Sequence, residues 1–348
     1  MITLKKFTVC ILLLSILFCL YACGNNSDTL TNTENSDSSA TTAVTEEAVD
    51  TIVPEPTEVL QPGPLDGKKI IFIGNSHTYV GNVVTQVYNK QPSQHARNNN
   101  RGLFTLLCQN MGSDVAVTNW TFSSHGLSSI FGDSCTTSGD CYGIDHKQYL
   151  TDRYFDYVVI QPGVGTGSEA TIAEDIAMVV DFFRAENPDV KFVLLGNASV
   201  YGNNKTDHPY PGITSYYKTL AEQGFIMADW GKLVNDLIHG IVKPEGSSVT
   251  YNKNCFIIKD GFHPNYLSGY IASVMTYCAI TGESAANIPA TMFQDTPMVI
   301  SLESHLSKSY DNPDYDTNCK IILTTESELE RIHLLIDQYL AEKPYLNN

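Results

Sequence analysis

The chain has 348 residues, of which 43% are hydrophobic, and its 21 basic and 38 acidic residues give a formal net charge of −17. A chain with so few basic residues is poorly suited to binding nucleic acids or anionic lipids through its folded surface, and we expect no nucleic acid as a partner. A neutral small molecule or a glycan fits this charge better.

The N-terminus has the layout of a secretory signal, because Lys5 and Lys6 precede an apolar run that ends at Cys23. The end of this run, LYAC, resembles the lipobox of bacterial lipoproteins, which implies removal of residues 1–22 and a lipid anchor on Cys23. The alternative is an uncleaved membrane helix, for which the run is marginally short. Both interpretations place the rest of the chain on the extracytoplasmic side of the membrane.

Residues 23–66 contain no Lys or Arg and are rich in Asn, Ser, Thr, Pro and acidic residues. A segment with so little apolar surface to bury cannot offset the entropy lost on ordering, so it is predicted to be a disordered acidic tether. Residues 67–348 show no repeat and no second linker. We expect one domain there, with its core in 68–282 and a C-terminal extension in 283–348.

Strand-like apolar runs alternate with helical patterns along this domain. Strands are predicted at 70–73, 114–119, 154–161, 190–196 and 225–229. Helices are predicted at 102–111, 168–186, 213–223, 230–241, 266–281 and 326–340. This order is typical of a mostly parallel five-stranded sheet covered by helices on both faces, a three-layer α/β/α sandwich.

Six cysteines remain in the domain, and an oxidising compartment permits disulfides between them. Cys135 and Cys141 are the best candidates because the loop between them is rich in Gly, Ser and Thr, whereas Cys108 and Cys278 fit the pattern of free core residues. No CxxC or HExxH motif occurs, and neither a metal nor another cofactor is expected. Four scattered histidines are expected to face solvent or to be hydrogen-bonded: His77, His125, His146 and His208.

The first informative motif is FIGNSHTYVGN, in which the apolar strand stops abruptly at Gly74-Asn75-Ser76. A glycine permits a tight turn, and a small polar residue after it lies at the carboxyl end of a strand, where open α/β folds build their sites. Ser76 is therefore a candidate nucleophile. The alternative is that its hydroxyl caps the helix that follows.

The second motif is KDGFHPN, which places Asp260 three residues before His263. At this spacing the carboxylate can bind the imidazole Nδ1 and leave Nε2 to accept a proton from a serine. Taken alone the pair is weak evidence, because Asp260 can be a helix N-terminal residue and His263 a surface histidine. Its occurrence together with the Ser76 turn is much more specific.

The two motifs resemble the first and last blocks of the SGNH/GDSL hydrolases, which are a Gly-Asp-Ser turn after the first strand and a late Asp-x-x-His. The resemblance covers most of residues 68–282. It implies the flavodoxin-like α/β/α fold of that family, with Ser76 as nucleophile, His263 as base and Asp260 as the acid that orients the base.

The resemblance also implies donors for an oxyanion. The family uses the backbone N–H of the nucleophile, here Ser76, and of a Gly after the second strand, for which Gly126 is the best match and Gly132 the competitor. The family's Gly-x-Asn-Asp after the third strand reads GVGT here, so its Asn is missing. Gln161 and Asn197 are the candidates to replace its amide N–H.

Together these features predict a monomeric, surface-tethered serine esterase that removes small acyl groups, chiefly acetyl, from an extracellular carbohydrate through an acyl-enzyme. A lipase or lysophospholipase is the alternative within this class. A non-catalytic glycan-binding lipoprotein is suggested by the missing Asn, but retention of all three triad residues speaks against it. A structural surface protein would show repeats, and none is present.

Overall fold

The computed structural model describes residues 62–85, 100–131, 145–162, 169–201, 211–258, 260–291, 319 and 321–343. Several sequence predictions lie outside these residues: the signal and most of the tether, the lipidation candidate Cys23, the disulfide candidates Cys135 and Cys141, and Gly132.

A five-stranded parallel sheet forms the centre of the described domain, which confirms the predicted fold class. Its strands are β1 (Lys69–Gly74), β2 (Ala116–Thr121), β3 (Tyr157–Ile160), β4 (Lys191–Leu195) and β5 (Ile226–Ala228), in the order β2-β1-β3-β4-β5. Every pairing between them is parallel. The chain changes direction across the sheet at β1, and ligands of open α/β sheets bind beside the carboxyl end of such a strand.

The sheet is buried on both faces, and its inner strands β1 and β3 are apolar along almost their whole length. In β1, Ile70 and Phe72 face one hydrophobic core, while Ile71 and Ile73 face the other. All four side chains are fully buried. Continuous apolar runs of this kind distinguish strands covered on both sides from strands that face water.

Helices cover both faces and complete the predicted three layers. They are α1 (Ser76–Tyr79), α2 (Leu103–Asn110), α3 (Leu127–Phe131), α4 (His146–Tyr149), α5 (Glu169–Arg184), α6 (Pro211–Glu222), α7 (Trp230–Ile238), α8 (Lys253–Phe256), α9 (Tyr266–Thr281) and α10 (Glu326–Glu342). The core on one face contains residues of α2, α7, α9 and α10. The core on the other face contains residues of α3, α5 and α6. Within the described residues, no helix is long and apolar enough to cross a membrane.

The C-terminal helix α10 is part of the core. The Tyr339 hydroxyl donates a hydrogen bond of 2.6 Å to the buried Asp236 carboxylate on α7. Glu328 is 4% exposed and accepts hydrogen bonds from Ser247 and Tyr251. The described end of the predicted extension therefore belongs to the same folded unit as the sheet.

Helix α9 makes a very close contact with the segment that follows α1. A Cβ atom on Gly269 would lie 1.6 Å from the carbonyl oxygen of Gly81, so only glycine fits there. This contact fixes the first turn of α9 against the chain just beyond Ser76. It brings a late segment of the sequence to the carboxyl end of the first strand.

Candidate active site

Ser76 lies where the first strand ends and the first helix begins. It is the first residue of α1, and 8% of its surface is exposed. The helix is capped by Asn75, whose Oδ1 accepts a hydrogen bond of 3.1 Å from the backbone N–H of His77. Because Asn75 fills the capping position, the Ser76 hydroxyl is available for another partner.

Gly74 is required for a different reason from the one that the sequence suggested. Its φ is not in the left-handed region, so the turn itself does not demand a glycine. A Cβ atom at this position would lie 2.8 Å from Thr78 Oγ1 and 2.9 Å from Gln161 Cβ, and both of those residues are buried. Gly74 therefore permits close packing of β3 against the turn that carries Ser76.

The segment that carries Asp260 and His263 is a tight loop just before α9. Ile258 donates its backbone N–H to the carbonyl of His263 (2.9 Å), and Gly261 in the loop has a φ of 72°, which favours glycine. One carboxylate oxygen of Asp260 accepts the backbone N–H groups of Phe262 (2.8 Å) and His263 (2.9 Å). The carboxylate thus holds its own loop in shape.

Asp260, His263 and Ser76 form a continuous hydrogen-bonded chain. His263 Nδ1 lies 2.6 Å from Asp260 Oδ2, and His263 Nε2 lies 2.8 Å from Ser76 Oγ. Burial alone would raise the pKa of Asp260, but hydrogen bonds from His263 and from the loop backbone outweigh this effect and lower the pKa. The charged carboxylate favours the tautomer with the proton on Nδ1, which leaves Nε2 to accept the Ser76 proton.

Two backbone N–H groups beside Ser76 are available to an oxyanion. Asn75 Nδ2 donates to the His125 carbonyl (3.3 Å), which ties the loop after β2 to the Ser76 turn and brings Gly126 to this edge of the sheet. Within the described residues, neither the Ser76 N–H nor the Gly126 N–H has an acceptor. Open space surrounds Gly126, where an added Cβ atom would meet no atom within 4 Å.

The side chain of Gln161 supports the Ser76 turn, and its predicted function as an oxyanion donor stays a prediction. Its Oε1 accepts hydrogen bonds of 3.3 Å from the backbone N–H of Asn75 and from Thr78 Oγ1. Its Nε2 donates to the carbonyl of Pro162. Since the amide is engaged on both sides and is 1% exposed, its geometry favours a supporting function.

Asn197 follows β4 and keeps an unpaired donor. Its Oδ1 accepts the Ser199 backbone N–H (2.9 Å), whereas its Nδ2 is buried without a partner in the described part of the chain. Strand β3 separates β4 from β1, which places the two strands roughly 10 Å apart. An oxyanion function for Asn197 stays a prediction.

A further polar cluster lies at the carboxyl end of β5. The Tyr201 hydroxyl donates a hydrogen bond to the carboxylate of Asp229, which is 4% exposed. Burial raises the pKa of Asp229 to about 6, although the Tyr201 hydrogen bond acts to lower it. Sequence reasoning did not single out this pair, because no spacing links a residue after β4 to one after β5.

Sequence reasoning also missed the surroundings of His263. His77 was expected to face solvent or to be hydrogen-bonded, but it is 3% exposed and its ring nitrogens have no partner among the described residues. Its ring packs against the rings of His263 and Phe262. A helix of four residues has no periodicity that would reveal which side chain faces inward.

In the part of the chain that the structure describes, no group of three His, Cys, Asp or Glu side chains is placed to hold a metal ion. The buried cysteines Cys108 and Cys278 are free, as predicted.

Comparisons with known proteins find matches among solved structures but not among families or curated proteins. Among solved structures, a protein assigned as a candidate SGNH hydrolase from Slackia heliotrinireducens is 14% identical, with a TM-score of 0.41; the match covers 63% of this chain and 100% of that one. The acetylxylan esterase Axe2 from Geobacillus stearothermophilus is 15% identical, with a TM-score of 0.38 and coverage of 63% and 95%. Both structures match this chain at low sequence identity and at a low TM-score.

Proposed function

We propose that the protein is a serine esterase that hydrolyses its substrate through an acyl-enzyme on Ser76. The observation that carries this proposal is the unbroken chain of hydrogen bonds from Asp260 through His263 to Ser76, of 2.6 Å and 2.8 Å. Such a constellation is identified by geometry and by the function of each member. A glycan-binding protein without catalysis has no need of a serine hydroxyl aligned on an imidazole nitrogen.

In the first half of the reaction, Ser76 Oγ attacks the ester carbonyl while His263 Nε2 takes its proton. Asp260 stabilises the imidazolium through Nδ1. The tetrahedral oxyanion accepts hydrogen bonds from the N–H groups of Ser76 and Gly126. As the intermediate collapses, Nε2 returns the proton to the leaving alcohol, and the acyl group stays on Oγ.

In the second half, His263 Nε2 removes a proton from a water molecule, which attacks the acyl-enzyme carbonyl. The same two N–H groups receive the second oxyanion. Collapse releases the carboxylic acid, and the proton returns from Nε2 to Ser76 Oγ. No group beyond the described side chains and water is needed to balance the reaction.

For the substrate, we propose a small acyl ester, chiefly acetyl, on an extracellular carbohydrate. The acidic composition supports a neutral substrate, and the predicted lipobox at Cys23 supports a site of action at the outer face of the membrane. The lipase or lysophospholipase alternative predicts a preference for long acyl chains instead. A series of p-nitrophenyl esters from acetate to palmitate, assayed beside acetylated glycans, separates the two.

The nucleophile is tested with a fluorophosphonate probe on the full chain. We expect the probe to label Ser76, and Ser76→Ala to lose both the label and the esterase activity while its melting temperature is unchanged. Ser215→Ala, a change at an exposed serine of α6, is the matched control and should label normally. An adduct on another serine, or no adduct at all, would refute the proposed function.

The predicted anchor has a separate test. Cells fed a fatty-acid analogue should incorporate it into the wild-type protein and not into Cys23→Ala. Incorporation that persists in the variant would show that the lipobox interpretation is wrong, without affecting the esterase proposal.

A further inference from the structure

His77, the residue after the proposed nucleophile, is a buried polar side chain that the esterase mechanism does not use. It is 3% exposed, and both of its ring nitrogens lack a hydrogen-bond partner among the described residues. A polar ring buried without partners costs stability that a Phe or Leu side chain would not cost. Its position directly beside the proposed base suggests a function for the ring itself.

Three aromatic rings meet at this point. The His77 ring is stacked on the His263 ring, with centroids 5.0 Å apart and an angle of 30° between the planes. Phe262 meets His77 edge-to-face at 4.3 Å and His263 at 5.1 Å. Offset stacking and edge-to-face contacts are the favoured arrangements of aromatic rings at these distances.

The stacked ring restricts a motion that the hydrogen bonds of the triad leave free. The hydrogen bonds of Nδ1 to Asp260 and of Nε2 to Ser76 fix two points of the imidazole, and the side chain of His263 is 23% exposed, so part of its ring faces open space. A ring held at two points can still tilt about the line that joins them. A flat neighbour against one face fixes the plane.

The His77 ring is neutral near pH 7, because its pKa lies well below the ordinary histidine value. Burial is the main cause that lowers its pKa to about 3, the charge of His263 lowers it further, and Asp260 acts in the opposite direction. A neutral ring does not repel the imidazolium that forms on His263 when Ser76 is deprotonated. An aromatic face also attracts a cation.

We propose that His77 is a positioning residue whose ring holds the plane of the His263 imidazole, so that Nε2 faces Ser76 Oγ throughout the proton transfer. This inference rests on the proposed esterase function. The backbone supports it, because the His77 N–H is bound by Asn75, which caps the same four-residue helix that presents Ser76. One turn therefore positions both the nucleophile and the surface that aligns its base.

Two substitutions separate the ring face from the ring nitrogens. His77→Phe keeps a flat face and removes the nitrogens, and we expect its kcat to stay within about threefold of wild type. His77→Leu keeps apolar bulk without a flat face, and we expect kcat to fall on the order of 10- to 100-fold because the base is misaligned. In both variants KM should change little, since the His77 side chain is buried and only 3% exposed.

The pH dependence of kcat/KM distinguishes a positioning function from a purely structural one, because a change in packing alone would not shift it. Loss of the aromatic face makes the imidazolium less stable, so His77→Leu should shift the acid limb of kcat/KM to lower pH by about half a unit. His77→Phe should leave this limb in place. A loss of kcat in His77→Phe equal to that in His77→Leu would overturn the proposal, because the ring nitrogens of His77, and not its flat face, would then be needed for activity. Full kcat in His77→Leu would overturn it as well.

A measurement on the wild-type protein keeps the proposal testable if the Leu variant does not fold. Selective histidine labelling should show a proton–proton Overhauser effect between the His77 and His263 rings, and its absence would overturn the proposal. The esterase function is judged separately by Ser76→Ala. If Ser76→Ala is inactive while the His77 variants behave as wild type, only the positioning function fails; if Ser76→Ala retains activity, the esterase function itself fails.

Discussion

Replacing Gln161 by Met tests whether this side chain supports the nucleophile or acts on the oxyanion. Met preserves the volume at a position that is 1% exposed but leaves the N–H of Asn75 and the hydroxyl of Thr78 without an acceptor. Both hydrogen bonds are long, at 3.3 Å, so we take about 1 kcal/mol for each donor left unpaired and about 2 kcal/mol in total. For a domain of this size, the melting temperature should fall by roughly 3–4 °C.

Activity should fall with stability in this variant. A nucleophile displaced by about 1 Å typically costs on the order of 10²-fold in rate, and KM should stay close to wild type. Thr78→Val removes only one of the two donors and should lower the melting temperature by about half as much. Both quantities are measured by thermal unfolding and by steady-state hydrolysis of p-nitrophenyl acetate.

A melting temperature equal to wild type, combined with a loss of 10²- to 10³-fold in kcat, would refute this reasoning and restore Gln161 as an oxyanion donor. If neither quantity changes, Gln161 has neither function.

Three other predictions follow from the geometry. Asp260→Asn should lower kcat on the order of 10⁴-fold in the steady-state assay, because the Asn amide favours the wrong imidazole tautomer; a loss below about tenfold would contradict the triad. Gly269→Ala should lower the free energy of unfolding in urea by more than about 3 kcal/mol, because its Cβ would lie 1.6 Å from the Gly81 carbonyl oxygen. An unchanged urea midpoint would contradict this contact. Burial lowers the pKa of His333 to about 4 in the folded protein, below the ordinary value of 6.5 that it has in the unfolded chain. As the pH falls, the unfolded chain therefore binds this proton before the folded protein does. The stability that is present above pH 6.5 should be lost as the pH falls toward 4. His333→Phe should reduce this loss by up to about 1.4 kcal/mol per pH unit relative to wild type, and parallel pH dependences would contradict the burial of a neutral imidazole.

The fold and the pairing of Asp260 with His263 were predictable because each depends on local sequence. Apolar runs separated by helical patterns specify a sheet buried on both faces, and the Asp260 loop is held by hydrogen bonds between residues at most five positions apart. Strand limits were less accurate. The second strand was predicted at 114–119 but spans Ala116–Thr121, because its register against β1 decides where pairing begins and ends.

The surroundings of the triad were not predictable because they depend on contacts between distant segments. Nothing near Gln161 in the sequence shows that its amide oxygen meets the turn after a different strand, 86 residues earlier. Likewise, the burial of His77 is decided by Phe262 and His263, which reach it only through the packing of α9. A missing motif residue therefore indicates that a site differs without indicating which side chain replaces it.

The contact between Gly81 and Gly269 has a consequence for folding. Ser76 and His263 are 187 residues apart, and the hydrogen bond between them closes the largest loop of the site. Contacts of such high sequence separation form late, because their loop entropy must be offset by structure that is already in place. The surface around Gly81 against which α9 packs forms only when the first strand and its turn have folded. In the proposed mechanism, a chain that has not docked α9 contains a serine and no base, so we expect hydrolytic activity to appear only when α9 has packed against the sheet.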